Sequence, residues 1–359
     1  MPVIYSKSAG LNDAKLGKLT SALRTVIEFE SDIKAKDDVL AAIYNIEKSN
    51  KWGETIQYQD EFGEFQYTAE GTAAKQDSMG DTYRKLIEHI PFMKEFVITK
   101  EMLDDANYGV SADATRRAQA FMRAYKNTRA KLGILALANG TGNSFTFNGA
   151  TVDTKCADNL SLFNIAHKYG RTDANTVPAR TAGTQSNYLY AAKTGTALVL
   201  NEVVDMIEAG AQQIRNMKDE NGEVLGYTAD TIIIPGNQRV LERYVKQALG
   251  SEFSPADNTN AINIQCGNWK LIVLPQWQIA ANTAEDHMII MSSEANKNLS
   301  GNMFFNRVPL DMADEQDVHT RNWTWSGYCR FGVGFGTYKH IVRVKSVAKG
   351  ATVSDATAI

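Results

Sequence analysis

The chain has 359 residues, 43% of them apolar and 22% charged, with a net charge of −3. That length predicts two domains, or one domain with large insertions, and the composition excludes wholesale disorder. A charge so near zero argues against strong generic binding to nucleic acid, because a protein that coats phosphates needs a basic surplus to displace counterions.

Residues 11–48 are polar, and Leu16, Leu19, Leu23, Val26 and Ile27 fall at three- and four-residue spacing, which predicts a helical arm. From Trp52 the pattern changes to alternation. Trp52, Ile56, Tyr58 and Phe62 share one phase and Phe65 and Tyr67 the other, with Gly63 where a bulge or turn would shift the phase. Small and polar residues follow from Gly71 to Gly80, then "TYRKLIEHIPFMKEFVIT" is strand-like again. The whole of 52–98 reads as one long open hairpin, too sparse in apolar residues to form a core of its own.

Over 111–137, Ala114, Ala118, Phe121, Tyr125, Thr128, Leu132 and Leu135 recur at steps of four and three, which predicts a long helix with Ser111 as N-cap and Asn139-Gly140 as the stop. Its other face carries Arg116, Arg117, Arg123, Lys126, Arg129 and Lys131. Residues 139–190 read as loop. A second helix is predicted near 196–218, then a β-α-β unit: "TIIIP", "NQRVLERYVKQALG" and "WKLIVLP", with "HMIIMS" as a further strand. In "RNWTWSGYCRFGVGFGTYKHIVRV", Trp323, Trp325, Cys329, Phe331, Val333 and Phe335 share one phase, while Gly332, Gly334 and Gly336 leave a bare strip that lets another element approach the backbone.

Signatures of chemistry are scarce. "GVGFGT" lies inside a strand pattern, whereas a dinucleotide loop must open a helix. The five histidines show no helical metal-ligand pair and read as surface or sheet residues; neither a nucleophile elbow nor a phosphate-loop lysine occurs. Asp104-Asp105 and Asp311, Asp314, Glu315 and Asp317 read as solvated faces or caps. Cys156, Cys266 and Cys329 are odd in number and far apart, as in reduced thiols of a cytosolic protein. No apolar run approaches the ~18 residues of a membrane span, and the first residues lack the apolar core of a signal peptide. The sequons at Asn159, Asn298 and Asn322 then read as chance. No catalytic, cofactor or metal residue is assigned.

The charges are segregated instead. Residues 52–110 hold twelve acidic and five basic side chains, while 111–137 hold six basic residues and one acidic. A basic helix face can serve solubility or nucleic acid. It can also complement an acidic hairpin, within a chain or between copies.

This order of elements, with "ITKEMLDDA" leading into the long helix, "TIIIPGNQRVLERYVKQAL" and the closing glycine-rich run, resembles the major capsid proteins of tailed bacteriophages over about residues 30–347. That fold is shared with encapsulins and with the floor of herpesvirus capsids. The resemblance implies an α+β fold: an N-terminal arm (1–50), an extended β-hairpin loop (51–98), a peripheral domain (99–187) with spine helix 111–137, an axial domain (188–285), a return to the peripheral domain (286–347) and a C-terminal tail (348–359). It implies a structural protein of the virion, not an enzyme, that forms pentamers and hexamers of an icosahedral shell around double-stranded DNA. A separate scaffolding protein and a portal are the implied partners, with no sequence-specific DNA contact, no membrane and no cofactor, and assembly in the host bacterial cytoplasm.

In that frame the loop tip, Gly71, Lys75 and Gly80, lies on a neighbouring subunit, and Arg116, Arg123, Lys126 and Arg129 form a basic face of the spine helix. Some members of the family cross-link a loop lysine to a neighbour's asparagine, and Lys75 stands in the corresponding region. The alternatives are an encapsulin-type nanocompartment and, from another class, a cytosolic enzyme with a dispersed site.

Overall fold

The computed structural model describes residues 39–59, 62, 64–73, 81–101, 110–170, 182–253, 262–263, 265–280 and 284–359. The helical arm expected over 11–48 falls mostly outside these residues. Its end is not one helix: Val39–Ile43 is helical and Asn45–Lys48 is a strand.

The chain forms two units, one of residues 1–42, 90–131 and 306–331, the other of 43–89, 132–305 and 332–359. The helix Val110–Ala138 and the strands Asn302–Gln316 and Trp323–Phe335 run from one unit into the other. Boundaries therefore lie inside elements, where no change of composition marks them.

In the first unit, Ile90–Ile98 pairs antiparallel with the strand beginning at Trp323, from Trp323 opposite Ile98 to Phe331 opposite Ile90. The single hairpin expected over 52–98 is thus corrected: its second arm ends at Glu88. The reason is the alternation Phe92, Phe96, Ile98. Phe92 stacks on Phe331 with ring centroids 4.9 Å apart, and Phe96 on Trp325 at 5.3 Å. An isolated hairpin would leave these rings in water, against about 1.5–3 kcal/mol for each large apolar side chain buried. Ile98 and Trp325 close a core with Ala118 and Met122 of the long helix. Gly327 makes room for this helix: a Cβ there would sit 2.6 Å from the Phe121 ring.

The long helix has 29 residues, roughly 43 Å at 1.5 Å per residue. It starts before the predicted cap, so Ser111 is inside it. In its last turn Ile134, Ala136 and Leu137 are all buried. The ladder's last i−4 bond runs from the Asn139 N–H to the Leu135 carbonyl at 2.9 Å, and Gly140 then bonds the Leu137 carbonyl at 3.2 Å as the helix tightens and ends.

The second unit is built on a six-stranded sheet in the order Lys270–Leu274, Thr231–Pro235, Asp286–Met291, Ile341–Val347, Tyr188–Ala192, Thr357–Ala358. The predicted β-α-β unit is present: Thr231–Pro235 pairs parallel with Lys270–Leu274, and Arg239–Gly250 is the helix between them. All five residues of Thr231–Pro235 are buried, as their continuous apolar run requires. Asp286–Met291 pairs on the other side of Thr231–Pro235, so the division expected at 285 would cut this sheet. The helix Leu200–Arg215 buries Val203, Met206, Ile207 and Ile214, and Gly210 leaves space for Ile290 of the sheet.

The stretch expected as loop, 139–190, contains two small hairpins, Ser144–Phe147 with Ala150–Asp153 and His167–Tyr169 with Gly183–Gln185. Their strands are three or four residues long, too short for an alternation to register. The bare glycine strip does admit an element. A Cβ on Gly332 would lie 2.7 Å from the Glu88 carbonyl oxygen, and one on Gly334 2.6 Å from the Ile87 side chain.

Candidate intersubunit surface

The hairpin Gly53–Gln59 with Asp81–Glu88 is anchored at its base and unsupported beyond it. At the base, Ile56 and Ile87 pack against Met303 and Phe305. The Ser49 hydroxyl donates to Glu54 at 2.7 Å and lies 2.9 Å from Nε2 of buried His89. That hydrogen bond from Ser49, with the Lys51 ammonium, holds the Glu54 carboxyl below its ordinary range. Buried Lys85 pairs with Asp153 on the neighbouring small hairpin.

The ladder slips between Tyr58 and Gln59. Beyond the slip, residues 64–69 lie outside any strand, and every described residue from 62 to 73 is exposed. Phe65 is fully exposed, Tyr67 is 93% exposed and Phe62 62%. One link to the rest of the unit is a hydrogen bond from Asn221 Nδ2 to the Phe62 carbonyl at 3.2 Å. Of the apolar phase expected on either side of Gly63, Ile56 is received by the core at the hairpin base, whereas Phe62, Phe65 and Tyr67 stay exposed among the described residues.

Gly71, the first predicted tip residue, has φ of +81° in a turn closed by the Thr72 N–H on the Ala69 carbonyl at 3.1 Å. A side chain would be strained there although the surroundings are open. Lys75 and Gly80 lie outside the described residues. The predicted basic face divides: Arg116 and Arg123 are exposed, whereas Lys126 and Arg129 are half-buried and engaged by other groups. Arg117 donates to the Val97 carbonyl at 3.0 Å. The sequence therefore overstates the free charge on this helix, because periodicity does not reveal which long side chains fold back.

The residues with possible chemistry are mostly absorbed by packing. His89, His167, His287 and His340 are buried; His167 and His287 lie in strands, as the sequence reading allows, whereas His89 and His340 are neither surface nor sheet residues. His167 sits between the Asp158 carboxylate at 2.6 Å and the Leu162 carbonyl at 3.2 Å, with Tyr338 stacked on its ring. Burial pushes the pKa of His287 down to about 2, helped by the nearby Arg343 and Lys345 cations, and burial pushes that of His340 down to about 3. Arg343 is buried among Phe163, Tyr188 and Trp277 and donates to the Ala138 carbonyl at 2.9 Å. It thus places a cation at the C-terminus of the long helix, where the helix dipole favours one. Of the acidic run, Asp317 caps its own turn, accepting from His319 N–H at 2.9 Å and the Thr320 hydroxyl at 2.7 Å. Among the described residues no group of three or more His, Cys, Asp and Glu could hold a metal ion, and no helix is long and apolar enough to cross a membrane.

The described residues thus show an anchored hairpin base, an exposed aromatic arm and no metal-binding cluster. The sequence profile of a family described as phage capsid protein matches residues 93–344. The chain belongs to the phage capsid protein family.

Among solved structures, this capsid protein is similar to the capsid of cyanophage P-SCSP1u, with 9% identity, 86% of this chain and 87% of that one covered, and a TM-score of 0.50. It is also similar to the capsid of Ralstonia phage GP4, at 10% identity, 87% and 88% coverage and a TM-score of 0.49. A capsid of an empty GTA particle aligns at 13% identity, 87% and 90% coverage and a TM-score of 0.47. No curated protein matches the chain. The family assigns a structural role in the bacteriophage virion, and the cyanophage capsid supports the mixed helix-and-strand fold.

Proposed function

We propose that this capsid protein assembles into pentamers and hexamers of an icosahedral shell that encloses double-stranded DNA. The exposed arm of the hairpin, with its tip at Gly71, Lys75 and Gly80, lies across a neighbouring copy. The observation that carries this reading is the aromatic series Phe62, Phe65 and Tyr67, which is exposed among the described residues. Covering three such rings would contribute on the order of 5–9 kcal/mol before the entropy of association is charged against it.

In this reading the sheet-and-helix unit around Thr231–Pro235 plays the axial part and the long helix with its strands the peripheral part. Arg116 and Arg123 offer a basic face to the acidic hairpin segment of another copy, steering association more than setting its strength. The near-neutral charge suits a container whose DNA is held without sequence-specific contacts. A separate scaffolding protein and a portal are the further partners, and assembly takes place in the host cytoplasm.

Purified protein examined by electron microscopy, with and without scaffold, tests this. Closed shells or capsomer rings are expected, and their size and contents separate a genome container from an encapsulin-type compartment. A compact monomer or dimer under all conditions would overturn the reading.

A further inference from the structure

Among the described residues, the strand Ile90–Ile98 lies at an edge of a four-stranded sheet (Asn45–Lys48, Asn302–Gln316, Trp323–Phe335, Ile90–Ile98), paired only with the strand that starts at Trp323. In an antiparallel ladder, alternate residues turn both main-chain groups toward the partner and the others turn them outward. Two contacts identify which are which. Cys329 Sγ contacts the Phe92 carbonyl at 3.6 Å, so the even-numbered residues face the partner strand. Arg117 takes the Val97 carbonyl at 3.0 Å from outside, so Pro91, Met93, Glu95 and Val97 face outward.

One main-chain group is unavailable at each end of this edge. Pro91 has no N–H to offer, and the Val97 carbonyl is occupied by Arg117. Between them Met93 and Glu95 present two N–H and two C=O groups with no main-chain partner among the described residues. Both side chains are exposed, and Met93 stands directly opposite half-buried Tyr328. Edge strands of soluble proteins are usually blunted along their length, since an open edge recruits another strand. Here the protection stops on either side of a two-residue window.

A segment of matching form exists on the same chain. Glu64–Thr68, "EFQYT", is exposed, rich in aromatic and β-branched residues, and in no strand. Among the described residues its carbonyls receive long contacts from its own side chains, Gln66 Nε2 to Glu64 at 3.5 Å and Thr68 Oγ1 to Gln66 at 3.4 Å. Once paired as a strand, Phe65 and Tyr67 would share one side, as alternation requires.

We propose that Glu64–Thr68 of one copy adds as a further strand to the Met93–Glu95 edge of a second copy. Main-chain hydrogen bonds at Met93 and Glu95 fix the register, and Phe65 or Tyr67 beside Met93 extends the row Tyr328–Met93 by one aromatic ring. This inference rests on the shell reading and names the element that receives the arm.

Hydrogen exchange on full-length protein, free and assembled, tests it. The Met93 and Glu95 amides should exchange at least about tenfold more slowly in shells, as newly paired strand amides do. Protection should be lost when Gln66→Pro and Tyr67→Pro are combined, since one of them must remove a ladder donor, and kept in Gln66→Ala. Shells whose Met93 and Glu95 amides exchange as in the free subunit would overturn the inference while leaving the shell reading standing. So would protection that survives deletion of 64–73, because another segment would then cover the edge. Failure of the wild-type chain to form any shell would overturn both.

Discussion

Phe65 and Tyr67 separate folding from assembly at the level of single side chains. Both are almost wholly in water, so Phe65→Ala with Tyr67→Ala should change the stability of the free subunit by no more than about 0.5 kcal/mol, the usual range for surface changes. The same pair should reduce the yield of shells severely. Urea unfolding and sizing chromatography read the two effects separately; a destabilised free subunit would place these rings in the core instead.

The buried histidines behave in the opposite way. His287 and His340 resist protonation when folded, with pKa values near 2 and 3, whereas in the unfolded chain each titrates near ~6.5. Above that pH neither state binds the proton and the groups contribute nothing to the pH dependence. Below it the unfolded chain binds protons that the folded chain refuses, so stability falls as pH falls, by about 1.4 kcal/mol per pH unit for each histidine. Unfolding free energies at pH 7, 6 and 5 should decline along that slope, and a flat profile would show that the folded histidines accept protons.

At the level of elements, the glycine strip of the strand Trp323–Phe335 is the most demanding contact. Gly334→Val would put branched carbons where the Ile87 side chain stands and should cost about 1–3 kcal/mol, the usual penalty of overpacking. Because Ile87 belongs to the hairpin base, the substitution should also loosen the arm. Denaturant unfolding measures the first effect and proteolysis near residues 60–80 the second. A neutral result would mean that the strand and the hairpin do not touch as closely as described.

This contact was legible in sequence as a bare strip, though not what filled it. The β-α-β unit was legible too, because "TIIIP" and "WKLIVLP" are continuous apolar runs bounded by turn residues. Ile90–Ile98 was assigned to the wrong sheet. Alternation reports that a strand has a buried face, and the partner is set by a segment more than 220 residues away in the chain, as with Phe92 and Phe331. The same limit hid the division into units and the partners of Lys126 and Arg129. The aromatic arm was visible as a phase pattern, but only its exposure in the fold distinguishes a contact surface from a core strand.

For the whole molecule, the proposed overlap explains why a chain of this size leaves so much aromatic surface on one arm. The two units bury their own apolar faces, and the arm contributes little to either. Deleting Gly71–Gly80 should therefore leave a folded, monomeric subunit with an unfolding transition close to that of the full chain. A deletion variant that unfolds would show that the tip belongs to the subunit's own core.

The measurement that bears most directly on the central claim is electron microscopy of the full chain beside this deletion, each supplied with scaffold and checked by sizing chromatography. Closed particles from the full chain and only folded free subunits from the deletion are the predicted pair of results. Closed particles of the same size from both would contradict the account, because the shell would then be held together without the arm.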